Sequence, residues 1–480
     1  MKRRVGIIVA ACAVLLVAGC SSVTQGRAVS TLYDPFRAGG LAAQDGPSGI
    51  KDDAPAPAGE VEGSDGGGVD ALGLLAVDDI AEYWQQNYAE SLEGQFAPIE
   101  RLQSYDSNDP SSPSICGTDT VGEPNAFYCP RRDLMAWDRG VMVPTGREFF
   151  GDVAIAALIA HEYGHAVQHM AGLVTDDTPV IVLEQQADCF AGSYVRWVAE
   201  GESTRFRLST GDGLNHVLAA AITLRDPVLG PGDEAMLHDG HGTAFDRVSA
   251  VQMGFVGGPS ECAVIDLDEI EQRRGDLPMA LPVDGDGAVR AGDVDLDEDT
   301  LSAMMDTLGE VYRPASAPTL SYGPAPCPDA TPVPPVSYCP STNTIGVDLA
   351  ALGRLGAPAD ESNYVLLQGD NTALSVLTSR YALAVQHEAG LGLDTPAAAL
   401  RTACLTGVAQ AAMADADESP GGGGLVLTAG DLDEAVAGLL TNGLAASNVD
   451  SQTVPAGFTR IVAYRSGLSG DRDLCLARFP

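Results

Sequence analysis

The same landmarks occur twice along this chain, in the same order, and that repetition constrains the fold more than any single motif. Tyr128-Cys129-Pro130 recurs as Tyr338-Cys339-Pro340, each with a Cys upstream (Cys116, Cys327) and an Asp nine residues after the second Cys (Asp138, Asp348). Ala166-Val167-Gln168-His169 recurs as Ala384-Val385-Gln386-His387, each followed two residues later by Ala-Gly-Leu. Cys189 matches Cys404, and Phe245-x-Arg247 matches Phe458-x-Arg460. Gly254 and Gly467 stand seven residues beyond those arginines, and Cys262 and Cys475 close each unit eight residues later. The period is far longer than that of solenoid repeats, so the pattern predicts two tandem lobes. It also predicts disulfides that occur once per copy: Cys116–Cys129 with Cys327–Cys339, and Cys189–Cys262 with Cys404–Cys475.

An even set of eight paired cysteines suits an exported protein, and the N-terminus agrees. Lys2, Arg3 and Arg4 precede an apolar run of 13 residues, Val5 to Val17, too short to span a bilayer. The run ends in Leu16-Val17-Ala18-Gly19-Cys20, which looks like a bacterial lipoprotein signal with Cys20 as the lipidated residue. The expected location is therefore the extracytoplasmic face of the cell membrane, held there by acyl chains. Residues 37–70 are rich in Gly, Ala, Pro and Asp, and residues 20–77 read as a flexible tether. About 50 such residues reach roughly 40 Å. A similar stretch over 275–298 reads as a linker, which gives a signal at 1–19, a first domain at 78–274 and a second at 299–480. The net charge of −39 argues against nucleic acid and against anionic membrane surfaces as partners.

His161-Glu162-Tyr163-Gly164-His165 carries the chemistry. The preceding run of Ala, Ile and Leu predicts a helix from Phe149 to Gly172. On it, His161 and His165 share a face, as i and i+4, and suit zinc. Glu162 sits beside the metal, placed to take a proton from water. A catalytic zinc takes three protein ligands, and the third comes from elsewhere in the chain. The best candidate is Glu184, on a second predicted helix over 180–198 that returns antiparallel. Asp188, one turn further, is placed to accept the outer N–H of a ligand His. His241 is a candidate oxyanion stabiliser, since the second copy has Val454 there. His169 reads as structural, because His387 persists in the other copy. The residues Leu134 to Asp138 have strand character and suggest an edge strand for an extended substrate.

These motifs together resemble the bacterial putative neutral zinc metallopeptidases. The resemblance rests on His161 to His169, on Glu184-Gln185-Gln186-Ala187-Asp188 through Gly192, on His241-Gly242-Thr243 through Val248, and on the Cys116/Tyr128-Cys129-Pro130 block, and it covers about residues 78 to 265. It implies peptidase chemistry, with the ligand roles on His161, His165 and Glu184 and the catalytic role on Glu162, without naming a substrate. Together with the repetition it gives the expected fold, α+β and mainly helical in two tandem zincin-like lobes, with one zinc per chain and a protein or peptide as the expected substrate.

In the second unit Ser379-Arg380-Tyr381-Ala382-Leu383 replaces the zinc pattern. No E-x-x-x-D precedes Cys404, and Arg380 brings a positive charge to the position of the lost site. The second lobe is expected to bind no zinc and to serve as a cap, a substrate-binding surface or a docking site for a protein partner. The rival expectation is a catalytically silent scaffold lipoprotein whose two lobes only recognise partners.

Overall fold

The computed structural model describes residues 30–479 except 234, 282–291, 324–326 and 415–424. The signal and Cys20 lie outside the described residues. The chain opens with the antiparallel pair β1 (Arg37–Ala38) and β2 (Leu41–Ala42), then β3 (Gly49–Ile50) and a long helix, α1 (Gly68–Ser91). Strands β4 (Arg101–Tyr105), β5 (Ala126–Cys129) and β6 (Leu134–Asp138) follow, then helices α2 (Met142–Phe150), α3 (Asp152–Met170) and α4 (Val180–Ala199). Strand β7 (Phe206–Arg207) pairs back to β3. Next come α5 (Asp212–Thr223), α6 (Met236–Asp239), α7 (Ala244–Gly257), α8 (Pro259–Cys262) and α9 (Leu267–Arg274). The C-terminal half contains α10 (Glu298–Tyr312), β8 (Thr319–Tyr322), β9 (Val336–Cys339), β10 (Thr344–Val347), α11 (Leu349–Leu355), α12 (Asp370–Glu388), α13 (Pro396–Ala414), α14 (Asp431–Thr441), α15 (Gly457–Leu468) and α16 (Arg472–Arg478). The class is α+β and mainly helical, as expected.

Each half holds a three-stranded sheet of the same form. The order is β4-β6-β5 in one and β8-β10-β9 in the other, with a parallel and an antiparallel neighbour around the central strand. The central strand in the N-terminal half is β6, which corrects the expectation that Leu134 to Asp138 forms an edge. All five of its residues are buried, so both faces of the strand are covered as well as both of its hydrogen-bonded edges. The edge facing α3 is β5.

The predicted helix from Phe149 breaks at Gly151, whose φ of +85° lets the chain turn between α2 and α3. Helix α3 is apolar around most of its circumference and packs against α1 and α4, as a helix at the centre of a core must. Helices α4 and α7 approach closely because Gly192 and Gly254 leave room: a Cβ at Gly254 would collide with the Cys189 carbonyl oxygen. Gly467 stands in the same relation to Cys404 across α15 and α13. Beside each contact lies a disulfide, Cys189–Cys262 in one half and Cys404–Cys475 in the other. Cys116–Cys129 and Cys327–Cys339 close the local loops. All four pairs stand at disulfide distance and are those the repetition predicts.

The expected tether is largely laid onto the body. Ala38 is buried, the Gly39 carbonyl accepts from Arg196 at 2.6 Å, and the Arg37 carbonyl accepts from the Thr459 hydroxyl. Glu62 pairs through its backbone with β4, and α1 begins at Gly68, ahead of the expected boundary at 78. Low apolar content excludes a core of its own. It does not exclude backbone hydrogen bonds to an existing surface, and these hold the segment. The expected linker over 275–298 lies partly outside the described residues; on either side, the Leu281 N–H donates to the Leu229 carbonyl, and the Val294 N–H to Asp370.

The halves meet through α5 and α7 on one side and α14 and α15 on the other. Gln252 donates to the Phe458 carbonyl at 2.9 Å, the Phe255 and Phe458 rings lie 5.0 Å apart, and Arg225 grips Glu361 through both terminal nitrogens. Among the described residues, no helix is long and apolar enough to cross a membrane.

Candidate metal centre

Helices α3 and α4 cross at Gly164, where a Cβ would lie 3.0 Å from the Ala187 Cα. That approach brings the His161–His165 face of α3 against the Glu184–Asp188 face of α4. His161 Nε2 lies 3.1 Å from Glu184 Oε2, and His165 Nε2 lies 3.6 Å from Glu184 Oε1. One donor atom from each of the three residues falls within 4.8 Å of the others. Two imidazoles and a carboxylate converging on one point are the donor set of an open zinc site.

The outward nitrogens of both rings are tied down. His161 Nδ1–H donates to Asp188 Oδ1 at 2.7 Å, and His165 Nδ1–H donates to Gln168 Oε1 at 3.1 Å. The Gln168 amide is oriented in turn by its own N–H, which donates to the Leu183 carbonyl at 2.6 Å. With both outer nitrogens as donors, both Nε2 lone pairs face inward, the tautomer a metal needs. Asp188 is itself gripped by Arg247, whose Nε and Nη2 donate to its two oxygens at 2.8 Å each. Arg247 Nη1 donates to the Leu224 carbonyl at 2.6 Å. The residues present therefore fit zinc.

Charge follows the same layout. Burial works to lower the His161 pKa, but Asp188 and Glu184 outweigh it and hold the ring up at about 10. Burial works to raise Glu184, while His161 and His165 draw it down to about 2. Burial also favours the neutral acid at Asp188, where the Arg247 and His161 charges prevail and leave the carboxyl well below its ordinary value. Burial dominates at His165 and lowers its pKa. A divalent cation held at the Nε2 atoms would take the place of the proton that the two carboxylates attract to His161.

Glu162 stands apart from this trio. It is 7% exposed, and its Oε2 accepts the Tyr128 N–H of the edge strand β5 at 3.1 Å. Burial pushes its carboxyl up to about 7, near the range a general base requires. His241 approaches from the loop before α7, with Nε2 3.7 Å from Glu184 Oε2 and Nδ1 3.5 Å from Asp226 Oδ1. Asp226 holds its imidazole above the ordinary value. Its side chain is half exposed, on the open side of the site. His169 lies beside the Tyr128 ring and makes no contact with the trio, as His387 lies beside Tyr338.

Three contributors escaped the sequence: Gln168, Arg247 and the Tyr128 backbone N–H. Gln168 and Arg247 stand among the landmarks present in both copies, one of which lacks the metal pattern, so the repetition gives no sign of their contact with the site.

Residues 70–265 match the model of the putative neutral zinc metallopeptidase family. No curated protein and no solved structure matches the chain.

Proposed function

We propose that the chain, whose residues 70–265 match the putative neutral zinc metallopeptidase family, is an extracytoplasmic, lipid-anchored peptidase with one zinc centre. The zinc ligands are His161, His165 and Glu184. The observation that carries this reading is the fixed pair of inward Nε2 atoms against the Glu184 carboxylate. Zinc held there would supply Lewis-acid polarisation of the scissile carbonyl and make water more acidic. Glu162 is the group placed to accept a proton from the attacking water and to return it to the leaving amine. Its buried carboxyl, near neutrality and oriented by the Tyr128 N–H, suits both transfers. His241, steadied by Asp226, offers an N–H to the oxygen on which charge develops. An extended substrate lies along the free edge of β5, the strand that already contacts the base.

The C-terminal half is a degenerate copy with no zinc site, retained for its packing against α5 and α7. The anchor is Cys20, supported by the basic start, the short apolar run and the Leu-Val-Ala-Gly-Cys boundary.

The decisive experiment is digestion of a panel of extracytoplasmic proteins by the wild type and by Glu162→Gln, with zinc content measured in parallel. About one zinc per chain in both proteins, with cleavage lost only in the variant, is the expected result. Unchanged cleavage by the variant would sink the mechanism, and two zincs per chain would refute the degenerate copy.

A further inference from the structure

We propose that Asp293, Asp370 and Glu434 bind a second, hard divalent cation of the calcium class, at the junction of α12, α14 and the segment that leads into α10. The site is independent of the zinc reading and lies in the C-terminal half. A carboxylate oxygen from each of the three residues falls within 4.8 Å of the others. Asp370 is only 5% exposed. One of its oxygens accepts the Val294 N–H at 2.7 Å, while the other, Oδ1, is buried and has no hydrogen-bond partner among the described residues. A buried carboxylate oxygen without a partner is costly, and more so beside two like charges.

Helix N-termini explain part of the arrangement. Asp370 opens α12, and Asp431 and Glu434 lie in the first turn of α14, where the helix dipole favours anions. Glu434 Oε2 accepts the Asn371 N–H at 2.8 Å, and Asp431 Oδ2 accepts the Thr428 N–H at 2.6 Å. These bonds place each carboxylate singly. They do not explain why three come together with no basic side chain bound to them among the described residues.

The other half supplies the contrast. Asp152 opens α3 as Asp370 opens α12, and Asp152 is paired with Arg147 at 2.7 Å. Val365, the residue five before Asp370, stands where Arg147 stands five before Asp152. That position offers Asp370 no counter-charge, and two further carboxylates, Asp293 and Glu434, lie beside it. Donors that are all oxygen select calcium or magnesium over zinc.

The test is calorimetric titration of the zinc-loaded full chain with CaCl₂, with MgCl₂ as comparison, joined to hydrogen–deuterium exchange. The expected result is one calcium site with Kd on the order of 10⁻⁴ M, with slowed exchange in peptides that cover 292–297, 369–374 and 428–434. Asp370→Asn and Glu434→Gln should weaken binding roughly tenfold or more. Asp293→Asn, at an exposed position, should weaken it as well and serves if the buried variants do not fold. Absence of calcium binding in the wild type, or binding and protection that survive Asp293→Asn and Glu434→Gln alike, would overturn the proposal. So would variants that are stabilised while the wild type ignores calcium, since that marks carboxyl groups sharing protons.

Discussion

Helices α3 and α12 are both 19 residues long, and both pack beside an edge strand and a partner helix tied by a disulfide. Their chemistry at the midpoint is opposite. In α3 the carboxylate of Glu162 accepts a backbone N–H from β5. In α12 the residue at that position is Arg380, which donates to the Val336 carbonyl of β9 at 2.9 Å, to Ser447 Oγ at 2.9 Å and to Ser451 Oγ at 3.3 Å. Arg380 is 1% exposed, and burial pushes its pKa down to about 10. On the facing helix, Glu184 and Asp188 precede Cys189 by five residues and by one; Ala399 and Ala403 hold those places before Cys404. The contrast teaches that the packing scaffold and the metal chemistry are separable. Glycine contacts, disulfides and sheet order are present in both halves, whereas the donors are present in one.

The comparison can be broken first at its centre. Glu162→Gln should reduce peptide cleavage by about 10²–10⁴-fold, the usual range for a general base, with zinc unchanged by metal analysis. Arg380→Gln should leave cleavage intact, and a comparable loss in that variant would make the C-terminal half part of the active site. Asp188→Asn weakens the acceptor for His161 and the partner of Arg247. It should lower zinc affinity by roughly 10–100-fold in a chelator competition; unchanged affinity would show that the ring is oriented by packing alone.

Packing offers the next test. Gly254→Ala and Gly467→Ala each drive a methyl group into a facing carbonyl, and each should destabilise by about 1–3 kcal/mol in chemical unfolding. A loss confined to one variant would show that the two helix contacts are not equivalent. The three tryptophans, Trp84, Trp137 and Trp197, all lie in the N-terminal half, so their fluorescence reports that half.

The smallest expected effect is a pH effect on that half. Burial works to raise the Asp138 pKa, but the N–H groups of Met142, Ser107, Gly140 and Val141 prevail and hold it below its ordinary 3.8. Because the folded value lies below the unfolded one, this stabilisation is present above pH 3.8 and is lost as pH falls through the folded value. Asp138→Asn should therefore flatten the acid limb of the tryptophan unfolding curve below that pH. An acid limb of unchanged steepness would assign acid sensitivity to other carboxylates.

Sequence alone determined the repetition, the disulfide partners, the pair of His on one helix face and the choice of Glu184 and Asp188. These follow from periodicity and order along the chain: i and i+4 residues share a helix face wherever the helix goes, and cysteines that recur in register suggest the same closure twice. The tertiary structure decided what depends on contacts between segments remote in sequence. Sheet order made β5 the edge and β6 the centre, because strand character does not reveal which neighbours a strand will find. Packing laid residues 30–67 on the body through backbone bonds that composition does not encode. Contact between helices gave Arg247 its grip on Asp188 and oriented Gln168 through the Leu183 carbonyl, and left Asp370 beside Glu434 without a basic partner among the described residues, since only the folded chain sets which charges meet.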